Sequence, residues 1–438
     1  MSAAAEPDRP VVDVGPPAHG GHCVARLDGR VVFVRHALPG ERVRLEITDR
    51  RSRFWRADAV EILDASADRV PSIWPEAGPG GVGGAELAHV ALPAQRDWKR
   101  QVLADTLRRI GGEEVAADVA ALEESAGAAV PPVAVLGDDD ATDGLHTRTR
   151  VELTVDAEGR AGMFRFRSHK VLALQHMPLA HEAIAELALL GADSPWRRTW
   201  RPGARVEAIA PSSGPPLVLV DGEAASPRKG RRSGPPRRSV REVVPSAVGE
   251  LAYRVAGAGF WQVHRHAPET LVSAVLSAAG ELGGKRVLEL YSGAGLLTLP
   301  LARSVGEDGA VVSIDGSEDA VRDARRNLHA YPNTVLGKAR VDAASVREAA
   351  AFDELAAGVG GADVVVLDPP RAGAGTNVVT AVAELAPERV VLVACDPAAL
   401  ARDLEAARRN GYRVTALAPF DLFPHTHHFE IVATLTRR

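Results

Sequence analysis

Over residues 9–66 the apolar positions follow the two-residue period of strands. VVDVG, HCVARL, RVVFVRH, ERVRLEI and WRADAVEIL are separated by Gly, Pro and Asp turns. So many short strands in so little chain predict a small closed β-barrel of the OB-like sort. A Gly/Pro stretch follows from Pro71 to Gly84. The period then lengthens: Trp98, Val102, Leu103, Leu107 and Ile110 predict a helix from Pro93 to Ile110, stopped by Gly111-Gly112. Residues 113–144 are rich in Ala and Asp and carry no clear period. Strand patterning returns in RVELTVD, AGMFRFR and KVLAL.

From about residue 286 strands and helices alternate. Strands are predicted at Arg286–Tyr291, Ala310–Ile314, Val335–Val341, Asp363–Leu367, Val390–Ala394, Tyr412–Ala416 and His428–Leu435. Helices such as Glu318–His329 and Ala398–Asn410 fill the gaps. This order predicts an α/β doubly wound, Rossmann-like parallel sheet. The last two strands have a connection too short for a crossover helix, so they should form an antiparallel hairpin at one edge.

Composition is that of an ordinary soluble protein, with 46% hydrophobic and 25% charged residues among 438. Only Cys23 and Cys395 are present, which excludes a disulfide scaffold or a Cys-rich cluster and fits a reducing compartment. The start MSAAAEPDRP is not a secretory signal, and no apolar run is long enough to span a membrane. A cytoplasmic protein is expected. The net charge of −5 conceals a segregated pattern. Leu145 to Phe260 holds 18 Arg and Lys against 11 Asp and Glu, leaving −12 for the remainder. A basic middle can hold a phosphate backbone. Within it, Ser226 to Arg241 carries seven basic residues: either a solvated loop or a phosphate-gripping arm.

Candidate chemistry sits at the strand ends of the C-terminal region. VLELYSGAGLLTLPLA turns from strand to helix through Gly293 and Gly295, where the backbone can approach a ligand closely. A dinucleotide fingerprint would want a third Gly; Thr298 stands there, and Glu289 precedes the loop. A carboxylate at that point repels pyrophosphate and suits a cationic ligand such as S-adenosylmethionine. The next strand ends in Asp315, which can accept both hydroxyls of a ribose. LDPPRAGAG fixes Asp368 and Arg371 over the switch-point crevice, where a carboxylate can hold a base edge. In VVLVACDPAALARDL, Cys395 precedes a helix, a placement that favours its thiolate and makes it a candidate nucleophile. Glu430, an acid in an otherwise apolar strand, is a candidate general base of raised pKa; alternatively it points to solvent. His425, His427 and His428 lack the accompanying ligands of a closed metal site, so no metal is expected.

Taken in order, VLELYSGAGLLTLPLA, LDPPRAG, ACDPAALARDL and PHTHHFE resemble the S-adenosylmethionine-dependent RNA uracil-5-methyltransferases. PPAHGGHCVARLDGRVVFVRHALPGERV resembles the TRAM domain that often precedes the other domains of that family. The resemblance spans nearly the whole chain. It implies a flexible tail over 1–8, a TRAM barrel over 9–66, a mostly β central RNA-binding domain over 67–90 and 126–255, and a class I methyltransferase domain over 91–125 and 256–438. It implies Cys395 as nucleophile toward carbon-6 of uracil and Glu430 as the base that removes the carbon-5 proton. Gln262, Tyr291, Gly293, Gly295, Asp315, Asp342 and Asp368 would line the cofactor pocket, with Asp342 near the adenine, and Asp368 and Arg371 would meet the substrate. The helix from Pro93 would pack back onto the catalytic domain. The implied partner is an unpaired or flipped-out uridine of ribosomal or transfer RNA, met by a monomer. Many members hold an iron–sulfur cluster on four cysteines. Here Trp74, Val82, Ala85 and Met177 stand at those positions, so no cluster is expected and apolar packing should replace it. Two other readings compete: an amino-directed nucleic-acid methyltransferase using the Asp-Pro-Pro turn, and an inactive RNA-binding protein.

Overall fold

The computed structural model describes residues 9–123, 130–227, 237–350 and 361–438. The expected tail over 1–8, and residues 228–236 of the basic run, lie outside the described residues.

Strands β1 (Val11–Ala18), β2 (His22–Leu27), β3 (Arg30–Arg35), β4 (Arg42–Arg50) and β5 (Phe54–Asp64) close a barrel in the order β1-β2-β3-β5-β4. Alternation places Val12, Val14, Cys23, Ala25, Val32, Val34, Val43, Leu45, Ala57 and Ala59 inside. Small side chains are what so narrow a lumen accepts. Cys23 is fully buried there, so it is a core residue of the barrel.

An antiparallel six-stranded sheet follows, built from β6 (Arg150–Val155), β7 (Ala161–Phe164), β8 (Val171–Ala173), β9 (Arg205–Ile209), β10 (Leu217–Val220) and β11 (Glu223–Ala224). Trp74, Val82 and Ala85 are buried in its core beside Leu153, Val155, Leu174 and Val206, and Met177 packs on the same cluster. The four positions where the resemblance would place cluster cysteines thus meet as one apolar group.

The hairpin β12 (Ser239–Val244) and β13 (Leu251–Ala256) stands between this sheet and the C-terminal one. Its Val240, Val244, Leu251, Tyr253 and Val255 share a core with the C-terminal helices. A boundary at 255/256 therefore falls within the last residues of the hairpin and divides a hydrophobic core.

The C-terminal sheet comprises β14 (Arg286–Leu290), β15 (Ala310–Asp315), β16 (Thr334–Lys338), β17 (Val364–Leu367), β18 (Arg389–Ala394), β19 (Tyr412–Phe420) and β20 (Glu430–Arg437). Their order is β16-β15-β14-β17-β18-β20-β19, with β14 to β18 parallel and β20 antiparallel to both its neighbours. The expected edge hairpin is present, with β19 outermost. Successive strand residues feed opposite cores: Leu288, Val365 and Leu392 one, Val287, Val366 and Val391 the other. Such two-sided burial is why these strands read as continuous apolar runs.

Helix α1 (Leu92–Thr106) continues as one wider turn to Gly111, close to the predicted end. It bridges the barrel and the catalytic sheet. Trp98 and Val102 belong to the barrel core, Leu103 and Leu107 to the C-terminal core. The surprise is its polar face. Gln95 and Lys99 are fully buried. Lys99 pairs with Asp421 and also donates to the Phe423 carbonyl at 3.1 Å. Gln95 accepts from the His425 amide at 2.7 Å and donates to the Val90 carbonyl at 2.8 Å. The 113–144 stretch, without a clear period of its own, also supplies two side-chain pairs, one buried and one at the surface. Asp139 pairs with buried His264 at 2.8 Å, and the neighbouring Asp138 pairs with Arg265 at 2.7 Å.

Breaking one partner of a buried pair strands the other charge. Lys99→Met should lower unfolding free energy by about 3–5 kcal/mol, and Lys99→Met with Asp421→Leu by clearly less. Urea titration of the three proteins checks this.

Candidate active site

The order of the C-terminal sheet places a switch point at β14, from which the chain winds outward to both sides. Ligand crevices form at the carboxyl ends of strands at such a point. Those ends carry Tyr291, Asp315, Asp368 and Cys395, following β14, β15, β17 and β18. Strand β20 runs the opposite way, so its first residue, Glu430, arrives at the same rim.

On the β14 side, Tyr291 adopts a positive φ of 65°, an uncommon conformation for a side-chain-bearing residue. Its amide donates to the Ile314 carbonyl at 2.8 Å. Burial, then Asp403 and Asp342, push its hydroxyl up to about 12. Gly293 follows with φ 56° and open space where a Cβ would stand. The Gly293 amide donates to Asp315 at 2.9 Å, and the Ser317 amide to the other Asp315 oxygen at 2.7 Å. Each carboxylate oxygen still has a lone pair for a further donor. At Gly295 a Cβ would lie 3.2 Å from Leu328, so this glycine serves close packing. Asp342 caps the helix α2 (Ala343–Ala350), accepting from Ala344 and Ser345 amides at 2.9 and 3.0 Å. Gln262 is half-buried in the loop after β13; beside it Trp261 is core, while Phe260 is 75% exposed.

Glu289 is the residue whose weight the sequence understated. It is 1% exposed, and one carboxyl oxygen has no hydrogen-bond partner among the described residues. Burial above all raises its carboxyl to about 8; Asp368 and Asp315 add to this, while the Thr298 and Ser313 hydroxyls oppose it. An orphaned buried carboxyl beside an open glycine turn fits a cationic, hydrogen-bonding ligand.

Across the crevice, Cys395 is partly exposed. Asp396 follows and caps the helix α3 (Pro397–Arg409), accepting from the Ala399 amide at 2.8 Å. Proximity to this helix start does not favour the thiolate, contrary to the expectation from sequence. Burial first, then Glu430 and Asp368, push the Cys395 thiol up to about 12. The helix terminus is outweighed by burial, and then by carboxylates that the chain's linear order does not show. Glu430 is buried, not solvent-facing, and burial followed by Asp368 raises its carboxyl well above the usual range. Burial likewise raises Asp368 to about 7. Arg371 is exposed at the mouth, 3.4 Å from His428. Asp403, from α3, accepts from the Ala374 and Gly375 amides at 2.8 and 2.9 Å, tying the loop after Asp368 to the helix after Cys395. The histidines of the terminal loop diverge: His425 meets Asp143 and Gln95, His427 meets Glu86, and His428 faces Arg371.

A family model described as tRNA (uracil-5-)-methyltransferase matches residues 231–438, and one for the TRAM domain matches 11–60. An uncharacterized RNA methyltransferase of Streptomyces coelicolor is 42% identical, over 97% of this chain and 92% of that protein. The 23S rRNA (uracil(1939)-C(5))-methyltransferase RlmD of Alkalilimnicola ehrlichii is 33% identical, over 96% of this chain and 95% of that one. The chain belongs to the RNA uracil-5-methyltransferase family. Among solved structures, Pyrococcus abyssi tRNA (uracil-54, C5)-methyltransferase shares the fold, with a TM-score of 0.65 and 21% identity over 97% of this chain and 99% of that one.

For this RNA methyltransferase, the carboxyl crowding is directly measurable. Cys395 should react slowly with iodoacetamide at neutral pH. Asp368→Asn or Glu430→Gln removes a charge opposing the thiolate, so alkylation at pH 9 should accelerate, about tenfold per unit that the thiol pKa falls. Peptide mass mapping separates Cys395 from buried Cys23, and unchanged rates would refute the assignment of cause. Glu289 gives a stability signature. Below pH 4.5 it is protonated in both folded and unfolded chains; toward pH 8 only the unfolded chain releases its proton, so the fold loses stability. Glu289→Gln should therefore raise the melting temperature more at pH 8 than at pH 5, without added ligand.

Proposed function

We propose that this enzyme makes 5-methyluridine in RNA through a transient bond between Cys395 Sγ and carbon-6 of the target uracil. The observation that carries this reading is the meeting of one thiol with the buried Glu430 and half-buried Asp368 carboxyls at a single rim. An amino-directed methyltransferase needs no thiol there. S-adenosylmethionine is the cofactor; Glu289, Gly293 and Asp315 offer a buried carboxyl, an open backbone turn and a free-edged carboxylate suited to its amino group and ribose, with Gln262, Tyr291 and Asp342 around them. When bound it supplies the methyl group to carbon-5.

The protein's own residues act as follows. Sγ adds to carbon-6 as its proton passes to the neighbouring Asp368 carboxylate, whose basicity burial has raised, leaving Glu430 ionised for the second proton. Electron density then gathers on carbon-5. Once carbon-5 carries the methyl group, the Glu430 carboxylate takes the remaining carbon-5 proton. The freed electron pair re-forms the 5,6 double bond and expels the Cys395 thiolate. Asp368 accepts a base N–H and Arg371 meets the substrate at the mouth. The uridine enters unpaired or flipped out of its stack. The barrel over 9–66 and the central region over 67–90 and 126–255 grip ribosomal or transfer RNA, and residues 91–125 and 256–438 perform the chemistry. The chain acts as a cytoplasmic monomer. No helix among the described residues is long and apolar enough to cross a membrane.

Tritium at carbon-5 of uridine in RNA should be released as water by the protein with S-adenosylmethionine. Cys395→Ala should abolish release, and 5-fluorouracil-containing RNA should yield a covalent complex at residue 395. Retained methylation in Cys395→Ala would favour the amino-directed alternative, and no measurable S-adenosylmethionine binding the inactive RNA-binding one.

A further inference from the structure

The turn between β1 and β2, at the tip of the barrel, reaches the catalytic rim. His19 Nε2 stands 3.1 Å from Asp396 Oδ2, on the residue immediately after Cys395. The other Asp396 oxygen holds the first turn of α3 through Ala399. The same barrel turn is pressed against the terminal histidine loop. A Cβ on Gly21 would lie 2.9 Å from Glu86 and 3.3 Å from His427. The His19 ring meets His427 edge-on at 6.1 Å, and His427 lies 3.9 Å from His428, which faces Arg371. Barrel, histidine loop, substrate arginine and nucleophile cap are thus one continuous set of contacts.

We propose that His19 is a positioning residue for methyl transfer: the barrel completes the catalytic rim by orienting Asp396, and through it Cys395, as well as gripping RNA. This rests on the uridine methylation proposed above. Two features make the contact a positioning device. The pair is partly exposed, with side chains 43% and 22% accessible, and such pairs contribute little to stability. Yet it acts on the backbone that carries the nucleophile, where a displacement of about 1 Å costs large factors in rate. Charge works in the same direction. Asp396 is among the carboxylates that oppose ionisation of Cys395, and an imidazole donor facing it offsets that charge.

The test uses the full chain. His19→Ala should lower kcat at saturating RNA by on the order of tenfold, with RNA Kd and melting temperature essentially unchanged. His19→Gln, which keeps a side-chain N–H donor, should restore most of the rate. In an Asp396→Asn background, His19→Ala should have little further effect, because the two act through one contact. Equal losses in both backgrounds, or a loss confined to RNA affinity, would overturn the proposal. Hydrogen exchange provides a readout independent of turnover: His19→Ala should speed exchange of the Ala399 amide and leave the β18 amides unchanged. If no RNA releases tritium with the native enzyme, the uridine reading fails. Exchange at Ala399 then still decides whether His19 sets the cap, and an unchanged rate would dismiss it.

Discussion

The rest of the structure depends on one topological constraint: a terminal strand inserted antiparallel between β18 and β19. In a purely parallel sheet every strand begins at the rim opposite the crevice. Reversal of β20 brings a strand's first residue to the crevice instead, and that residue is Glu430. The neighbouring strand β18 ends in Ala394 and delivers Cys395 to the same edge. The proposed nucleophile and base thus come from adjacent strands of opposite direction, fixed by the register that pairs Ala394 with Ile431.

That geometry has an electrostatic consequence. Asp368 and Glu430 converge with Cys395, Glu289 lies on the far side of Asp368, and burial raises all four groups. Burial and mutual repulsion shift each of these groups toward its protonated form. Arg371, exposed beside His428, brings a positive charge to the mouth of this acidic site. A cationic ligand beside Glu289 would reverse part of this balance.

Polar contacts that cross between layers hold this rim in place. Lys99 and Gln95 of α1 reach the loop that precedes Glu430, Asp139 holds His264 ahead of the first catalytic helix, and His19 reaches Asp396. The barrel and the catalytic sheet meet through α1, whose opposite apolar faces enter both cores. Trp74, Val82, Ala85 and Met177, where the resemblance would place cluster cysteines, pack together, so hydrophobic contact supplies the cohesion of that region.

By itself the sequence determined the local periods: the barrel strands, the alternation of strands and helices, the final hairpin and the order of Gly293, Asp315, Asp368, Cys395 and Glu430 along the chain. Those follow from side-chain spacing, which is a one-dimensional property. It did not determine the protonation state of Cys395, because the opposing carboxylates come from strands 27 and 35 residues away on either side (Asp368 to Cys395 to Glu430). Nor did it reveal what Lys99, Asp139, Asp403 or His19 hold in place, since each reads as an ordinary surface residue until partners distant in sequence are brought beside it. Periodicity records which face of an element is buried. Charge partners and desolvation depend on what is packed against that face, and only the tertiary structure decides that.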